Sequence, residues 1–207
     1  MSSPSRVVVL ISGGGSNLAA LMQACRDPDY GVQVVAVGAD RDSCAGLALA
    51  EQAGIPAFVE RVGDHADREA WDVALTEQVR AHAPDLVISA GFLKLVGPAF
   101  LAEFGGRYLN THNSLLPAFA GIHGPRDALA YGVRLTGATL FVVDEGVDTG
   151  VILAQVGVPV HDDDTLESLT ERIKAAERVQ LVETLGAMVR YGWRVEGRRA
   201  LIGSPKS

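Results

Sequence analysis

Arg6-Val-Val-Val-Leu-Ile11 is an unbroken apolar, β-branched run that stops at Ser12-Gly13-Gly14-Gly15. That is the pattern of a strand covered on both faces in a parallel sheet. Over residues 17–26 the apolar positions take helical spacing, through Leu18, Leu21 and Met22. The alternation then repeats: a strand over 32–37, a helix over 45–53, a short strand within 55–59 opened by Pro56, a helix over 68–82 and a strand over 86–89. Strands and helices in turn, joined by short Gly or Pro connections, predict an α/β fold with a doubly wound, mostly parallel sheet. Ligands of such sheets sit beyond the carboxyl ends of the strands, here near Gly13 to Asn17 and near Gly91.

The second half changes texture. Strands are expected over 108–111, 139–143 and 151–160, separated by turn-rich segments that hold most of the unusual polar residues. A long helix is expected from Asp164, read as its N-cap with Glu167 three positions on, and its apolar stripe runs through Leu166, Leu169, Ile173, Leu181, Val182, Leu185 and Val189. Residues 193–202, turning at Glu196-Gly197, read as a terminal hairpin. The pattern gives one domain with a Rossmann-like, phosphate- or nucleotide-binding half over 6–105 and a second half over 106–207.

Composition narrows the class. The 207 residues, 48% hydrophobic, suffice for one substantial core. A net charge of -7 opposes a general nucleic-acid binder, which needs a clustered basic surface, so an anionic substrate would need a local pocket. Cys25 and Cys44 are placed on helices without partners at metal-ligand spacing, which gives the expectation of a reduced, metal-free, cytoplasmic protein. No apolar run reaches the roughly 18 residues of a membrane span, and the lead-in from Met1 to Arg6 runs straight into a strand.

Three segments carry candidate chemistry. Ser12-Gly13-Gly14-Gly15-Ser16-Asn17 joins a strand to a helix, so free backbone N–H groups and the positive helix end can face a phosphate; a tight turn that merely needs positive φ is the alternative. The segment lacks a P-loop lysine, and Leu18 stands where a dinucleotide fingerprint needs Gly. In Asn110-Thr111-His112-Asn113-Ser114-Leu115-Leu116-Pro117, strand alternation directs Asn110 and His112 to one side. An amide donor and an imidazole suit the oxyanion and the protons of acyl transfer. Asp144-Glu145-Gly146-Val147-Asp148-Thr149-Gly150 is an acidic turn: either a solvated connection or the source of a carboxylate, Asp148, that orients His112.

At these residues the chain resembles the folate-dependent formyltransferases, in particular those that formylate glycinamide ribonucleotide in purine synthesis, and shares with methionyl-tRNA formyltransferase the wider fold. The resemblance spans residue 6 to about 178 and rests on Asn110-Thr-His112-x-Ser114-Leu-Leu-Pro117, Gly146-x-Asp148-Thr-Gly150 and Gly15-Ser16-Asn17. It implies Asn110, His112 and Asp148 as the catalytic trio. Gly15, Ser16 and Asn17 would hold the substrate phosphate, and Lys174 and Glu177 would approach the ribonucleotide. Arg68, Phe92, Leu93, Lys94, Leu95, Val96, Asn110, Val142, Val143 and Asp144 would bind the folate. The implied cosubstrate is 10-formyltetrahydrofolate, with no metal, no nucleic acid and no membrane, in a monomer or homodimer. Family members often carry Pro where Asn113, Ala120 and Val151 stand, Arg where Lys94 stands and His where Phe141 stands. Alternation over 139–143 places Phe141 on the strand leading to Asp148, bordering the trio. Formylation of another amine, deformylation of the folate by water and, from a different class, a nicotinamide-dependent oxidoreductase with Asp40 after its second strand are the alternatives.

Overall fold

The computed structural model describes residues 3–204. The chain divides into two compact units, 1–110 and 111–207. Strands β1 (Ser5–Ile11), β2 (Val32–Ala39), β3 (Ala57–Val59), β4 (Leu86–Ser89), β5 (Tyr108–His112), β6 (Leu135–Val142) and β7 (Val151–Pro159) form a seven-stranded sheet in the order β3-β2-β1-β4-β5-β6-β7.

In the first unit β1 pairs in parallel with β2 and with β4, β2 with β3, and β4 with β5. Strand β1 lies inside the sheet, and Val7 through Ile11, whose side chains alternate between its two faces, are all fully buried, which is why its sequence is unbroken in apolar residues. The helices are α1 (Ser16–Ala24), α2 (Ala45–Gln52), α3 (Arg68–Ala81) and α4 (Pro98–Phe104). After β3 the chain returns to lay β4 beside β1, so the strand order reverses between these two strands. The expected ligand-facing turns meet there: the Ser12 N–H donates to the Gly91 carbonyl at 3.2 Å, and the Leu93 N–H donates to Ser12 Oγ at 2.8 Å.

In the second unit β7 runs antiparallel to β6, with a register shift between Leu140 and Phe141 that leaves Leu153 as the extra residue on β7. Helix α5 (Gly124–Tyr131) precedes β6, and α6 (Leu166–Tyr191) packs on β6 and β7 through Leu169 and Ile173. A hairpin of β8 (Trp193–Glu196) and β9 (Arg199–Ile202) follows, as its sequence indicated.

Four local expectations need correction. The N-cap of α6 is Thr165 rather than Asp164: Thr165 and Ser168 exchange side-chain-to-backbone hydrogen bonds, while the Asp164 carboxylate is taken by Arg172, by the Ser168 hydroxyl and by the His161 N–H. Helix α5 lies in a stretch read as turn-rich, and α4 in one to which no element was assigned. Strand β6 begins four residues earlier than its β-branched core suggested and stops before Val143. Cys25 and Cys44 are the residues that cap α1 and α2 rather than members of them.

Candidate active site

In the first unit the turn after β1 is built by Gly15. It has φ of 73° and sits so close to α2 that a Cβ there would lie 2.8 Å from the Gly46 Cα, so both its conformation and its space demand glycine. Gly13, Gly14 and Ser16 are exposed, and Asn17 is buried. The first turn of α1 holds no acidic residue, which leaves the positive end of the helix uncompensated by its own side chains.

Of the residues expected at the folate, Arg68, residues 92–96 and Asn110 lie in this unit. The Arg68 guanidinium donates to the Leu95 carbonyl and lies over the Trp71 ring, on which Phe92 stacks. Leu93 and Leu95 are exposed large hydrophobics, and Val96 is half-buried. Lys94 is drawn toward Asp40, its ammonium 3.5 Å from a carboxylate whose side chain is wholly buried. Burial pulls the Asp40 carboxyl up, but hydrogen bonds from Arg41 and Ser12 and the charges of Arg41 and Lys94 outweigh it and hold the group below the usual carboxylate range. Ser12 thus joins the Asp40 cluster to the backbone of Leu93, a link that sequence reading missed because it depends on β1 and β4 being parallel neighbours in the sheet. On β5, Asn110 pairs in register with Ser89.

In the second unit His112 is buried and both ring nitrogens have defined surroundings. Nε2 lies 2.9 Å from the Phe119 carbonyl, and Nδ1 lies 3.6 Å from Asp148 Oδ2. A carbonyl oxygen only accepts, so the hydrogen bond fixes a proton on Nε2. When the ring gains its second proton, that proton sits on Nδ1 facing Asp148, so the carboxylate is placed to stabilise the imidazolium. Asp148 Oδ2 also accepts the Gly121 N–H at 2.7 Å. Among the described residues only Ala83, Phe119 and Asp148 are non-glycines with left-handed φ, and two of these three are the partners of His112. Strained backbone concentrated on one side chain is a mark of a functional site.

The support beneath these groups is continuous. Ser114 Oγ donates to the Ala118 and Phe119 carbonyls, Thr139 Oγ1 donates to the Ser114 carbonyl and accepts the Leu116 N–H, and Gln155 donates to both Thr139 and the Leu116 carbonyl. Ser114 lay inside the recognised segment. Thr139 and Gln155 were not singled out, since a threonine in a β-branched strand carries no sequence mark of its hydrogen bonds. Asp144 is exposed and closes the acidic turn by accepting from the Gly146 N–H and the Thr149 hydroxyl. Val142 is buried and Val143 half-buried. Phe141 is 1% exposed, and a Cβ on Gly150 would lie 3.0 Å from its ring, so it packs beneath the segment that follows Asp148. On α6, Lys174 pairs with Glu171 at 3.0 Å in partial exposure, while Glu177 is buried. No group of three or more His, Cys, Asp or Glu able to hold a metal ion occurs among the described residues. No helix among them is long and apolar enough to cross a membrane.

A doubly wound sheet with a buried imidazole held between a carbonyl and a carboxylate defines an α/β enzyme of the acyl-transfer kind. The chain belongs to the formyl transferase family, whose model matches residues 5–185. It is 54% identical over 202 residues to the phosphoribosylglycinamide formyltransferase of Mycobacterium tuberculosis, covering 98% of this chain and 93% of that protein. The crystal structure of glycinamide ribonucleotide transformylase 1 from Symbiobacterium toebii superimposes with a TM-score of 0.95 at 39% identity, covering 99% of this chain and 96% of that one. A formyltetrahydrofolate deformylase from Pseudomonas syringae superimposes with a TM-score of 0.91 at 25% identity, covering 98% of this chain and 67% of that one.

Proposed function

We propose that this chain transfers the formyl group of 10-formyltetrahydrofolate to the primary amine of glycinamide ribonucleotide, the name of its Mycobacterium tuberculosis relative giving formyl transfer and that acceptor. The observation that carries the reading is the fixed tautomer of His112, with Nε2–H on the Phe119 carbonyl and Nδ1 toward Asp148. In this reading Gly15, Ser16 and Asn17 receive the phosphate, and Lys174 and Glu177 approach the ribonucleotide. Arg68, residues 92–96, Asn110 and residues 142–144 receive the folate.

The neutral amine attacks the formyl carbon and gives a tetrahedral oxyanion, stabilised by the Asn110 amide and by the His112 imidazolium, whose charge Asp148 balances. The bond from carbon to the folate nitrogen then breaks, and the proton lost by the attacking nitrogen ends on the leaving one. Atoms balance as formylated ribonucleotide and tetrahydrofolate. The enzyme works in the cytoplasm as a monomer or homodimer, which light scattering resolves.

The test is an assay with both substrates that follows product folate and formylated amine together. Equal release of both supports the reading. Folate release without formylated amine indicates deformylation by water, the reaction named for the Pseudomonas syringae neighbour. Neither product, with hydride transfer to a nicotinamide instead, overturns it.

A further inference from the structure

The hairpin of β8 and β9 lies beyond the segment matched by the formyl transferase model, which ends at residue 185. It is nevertheless anchored in the second unit. The Gly203 N–H donates to the Gly192 carbonyl at 2.9 Å, and β9 lies against β7. From the tip of this hairpin the Arg198 guanidinium reaches two successive carbonyls, that of Thr149 at 2.7 Å and that of Gly150 at 3.3 Å.

These are the two residues that follow Asp148. The Asp148 backbone has φ of 55°, a conformation that an aspartate keeps only where its neighbours hold it. On the other flank Asp144 closes the turn through Gly146 and Thr149. The acidic turn is therefore tied internally by a carboxylate and, at its exit, by a guanidinium from the terminal hairpin. A planar guanidinium suits this task because it offers parallel donors to two carbonyl oxygens, where an ammonium offers a single point of charge.

We propose that Arg198 is a positioning residue for the reaction: it acts through the Thr149 and Gly150 carbonyls to hold Asp148 in the left-handed conformation that aims its carboxylate at His112 Nδ1. This rests on the role proposed for Asp148 above. Arg198 is an exposed residue, with its bond to Gly150 partly buried, so water competes for the guanidinium and its effect falls on the geometry of one turn rather than on global stability.

The test compares Arg198→Ala, Arg198→Lys and, as a control on the same hairpin, Arg199→Ala. Arg198→Ala is expected to lower kcat by about three- to tenfold with KM for both substrates changed less than about twofold, because a misaimed group costs turnover before binding. Arg198→Lys recovers part of the loss, and Arg199→Ala keeps normal turnover. Amide hydrogen exchange over residues 146–150 speeds up by about fivefold or more in Arg198→Ala, while β6 and α6 exchange as before.

Unchanged exchange in the turn overturns the inference whatever the turnover does. So does an equal loss in Arg199→Ala, or a rise in exchange spread over the whole unit, since either makes the effect one of hairpin stability. If the turn loosens in Arg198→Ala but kcat holds, the positioning role fails. If Asp148→Asn itself leaves turnover intact, the assignment of Asp148 fails, and exchange in the turn then reports only the Arg198 clamp.

Discussion

His112 donates from Nε2 to a backbone carbonyl, which no side-chain substitution elsewhere can remove, so its tautomer is set by main chain. Two consequences follow for activity. His112→Ala and Asp148→Asn are each expected to lower kcat by roughly 10²-fold or more while thermal unfolding stays cooperative, as steady-state kinetics and a melting curve will show. Near-normal turnover in either variant would remove the pair from the mechanism. Phe141 bears on the same groups, because its buried ring lies beneath the segment after Asp148. Phe141→His adds a polar group where only packing exists, and kcat/KM for the ribonucleotide is expected to rise several-fold, up to about tenfold, at some loss of melting temperature. A lower kcat/KM with the protein folded would make Phe141 a core residue alone. That His112 and Asp148 stand together, 3.6 Å apart, was suggested by the resemblance of their two segments to the formyltransferases, because on residue type alone the acidic turn could equally have been a solvated connection. Phe119 was not, because its contribution is a carbonyl, and every residue has one.

Periodicity located β1, β2, α3 and β4 to within a residue or two, since each buries a continuous stripe whose spacing is written in its own side chains, and the Glu196-Gly197 turn located the more exposed hairpin. Helix α4 was invisible for the opposite reason: its stabilising contact comes from α3. The Asp72 carboxylate, buried, accepts the N–H groups of Gly97, Ala99 and Phe100 and so caps α4 from another helix. Asp72→Ala leaves those donors unpaired, and denaturant titration is expected to show a loss of about 2 to 4 kcal/mol. A change below about 0.5 kcal/mol would mean that water replaces the carboxylate at no cost. For α6, hydrogen bonds from Arg172, from the His161 N–H and from Ser168 hold the Asp164 carboxyl well below its ordinary value. A carboxyl depressed in the folded state contributes its stabilisation above its unfolded value, about 3.9, and loses it as pH falls toward the folded one. Acid denaturation below about pH 4 is therefore expected to be shallower in Asp164→Asn than in the parent chain, and identical slopes would refute the linkage.

The doubly wound order was readable from the alternation of strands and helices, because a parallel neighbour requires a crossover and the sequence supplies one after each early strand. The antiparallel β7 and its bulge were not, since a single extra residue leaves no periodic trace. The same whole-chain reasoning separates the proposed substrates from a dinucleotide. A ligand of the folded state at about 100 times its Kd adds about 2.7 kcal/mol, which for a chain of this size raises the melting temperature by about 5 to 10 °C. Glycinamide ribonucleotide or a folate is expected to give such a shift and NAD none. The reverse pattern would favour the oxidoreductase.

Both partners of His112 sit in backbone conformations that suit glycine better than phenylalanine or aspartate. Directed evolution of this protein for heat resistance alone could relieve that conformation one substitution away, at Asp148→Gly, but only by leaving the Gly121 N–H without its carboxylate acceptor and, on the role proposed for Asp148, at the expense of turnover. Any such campaign has to select on turnover in every round.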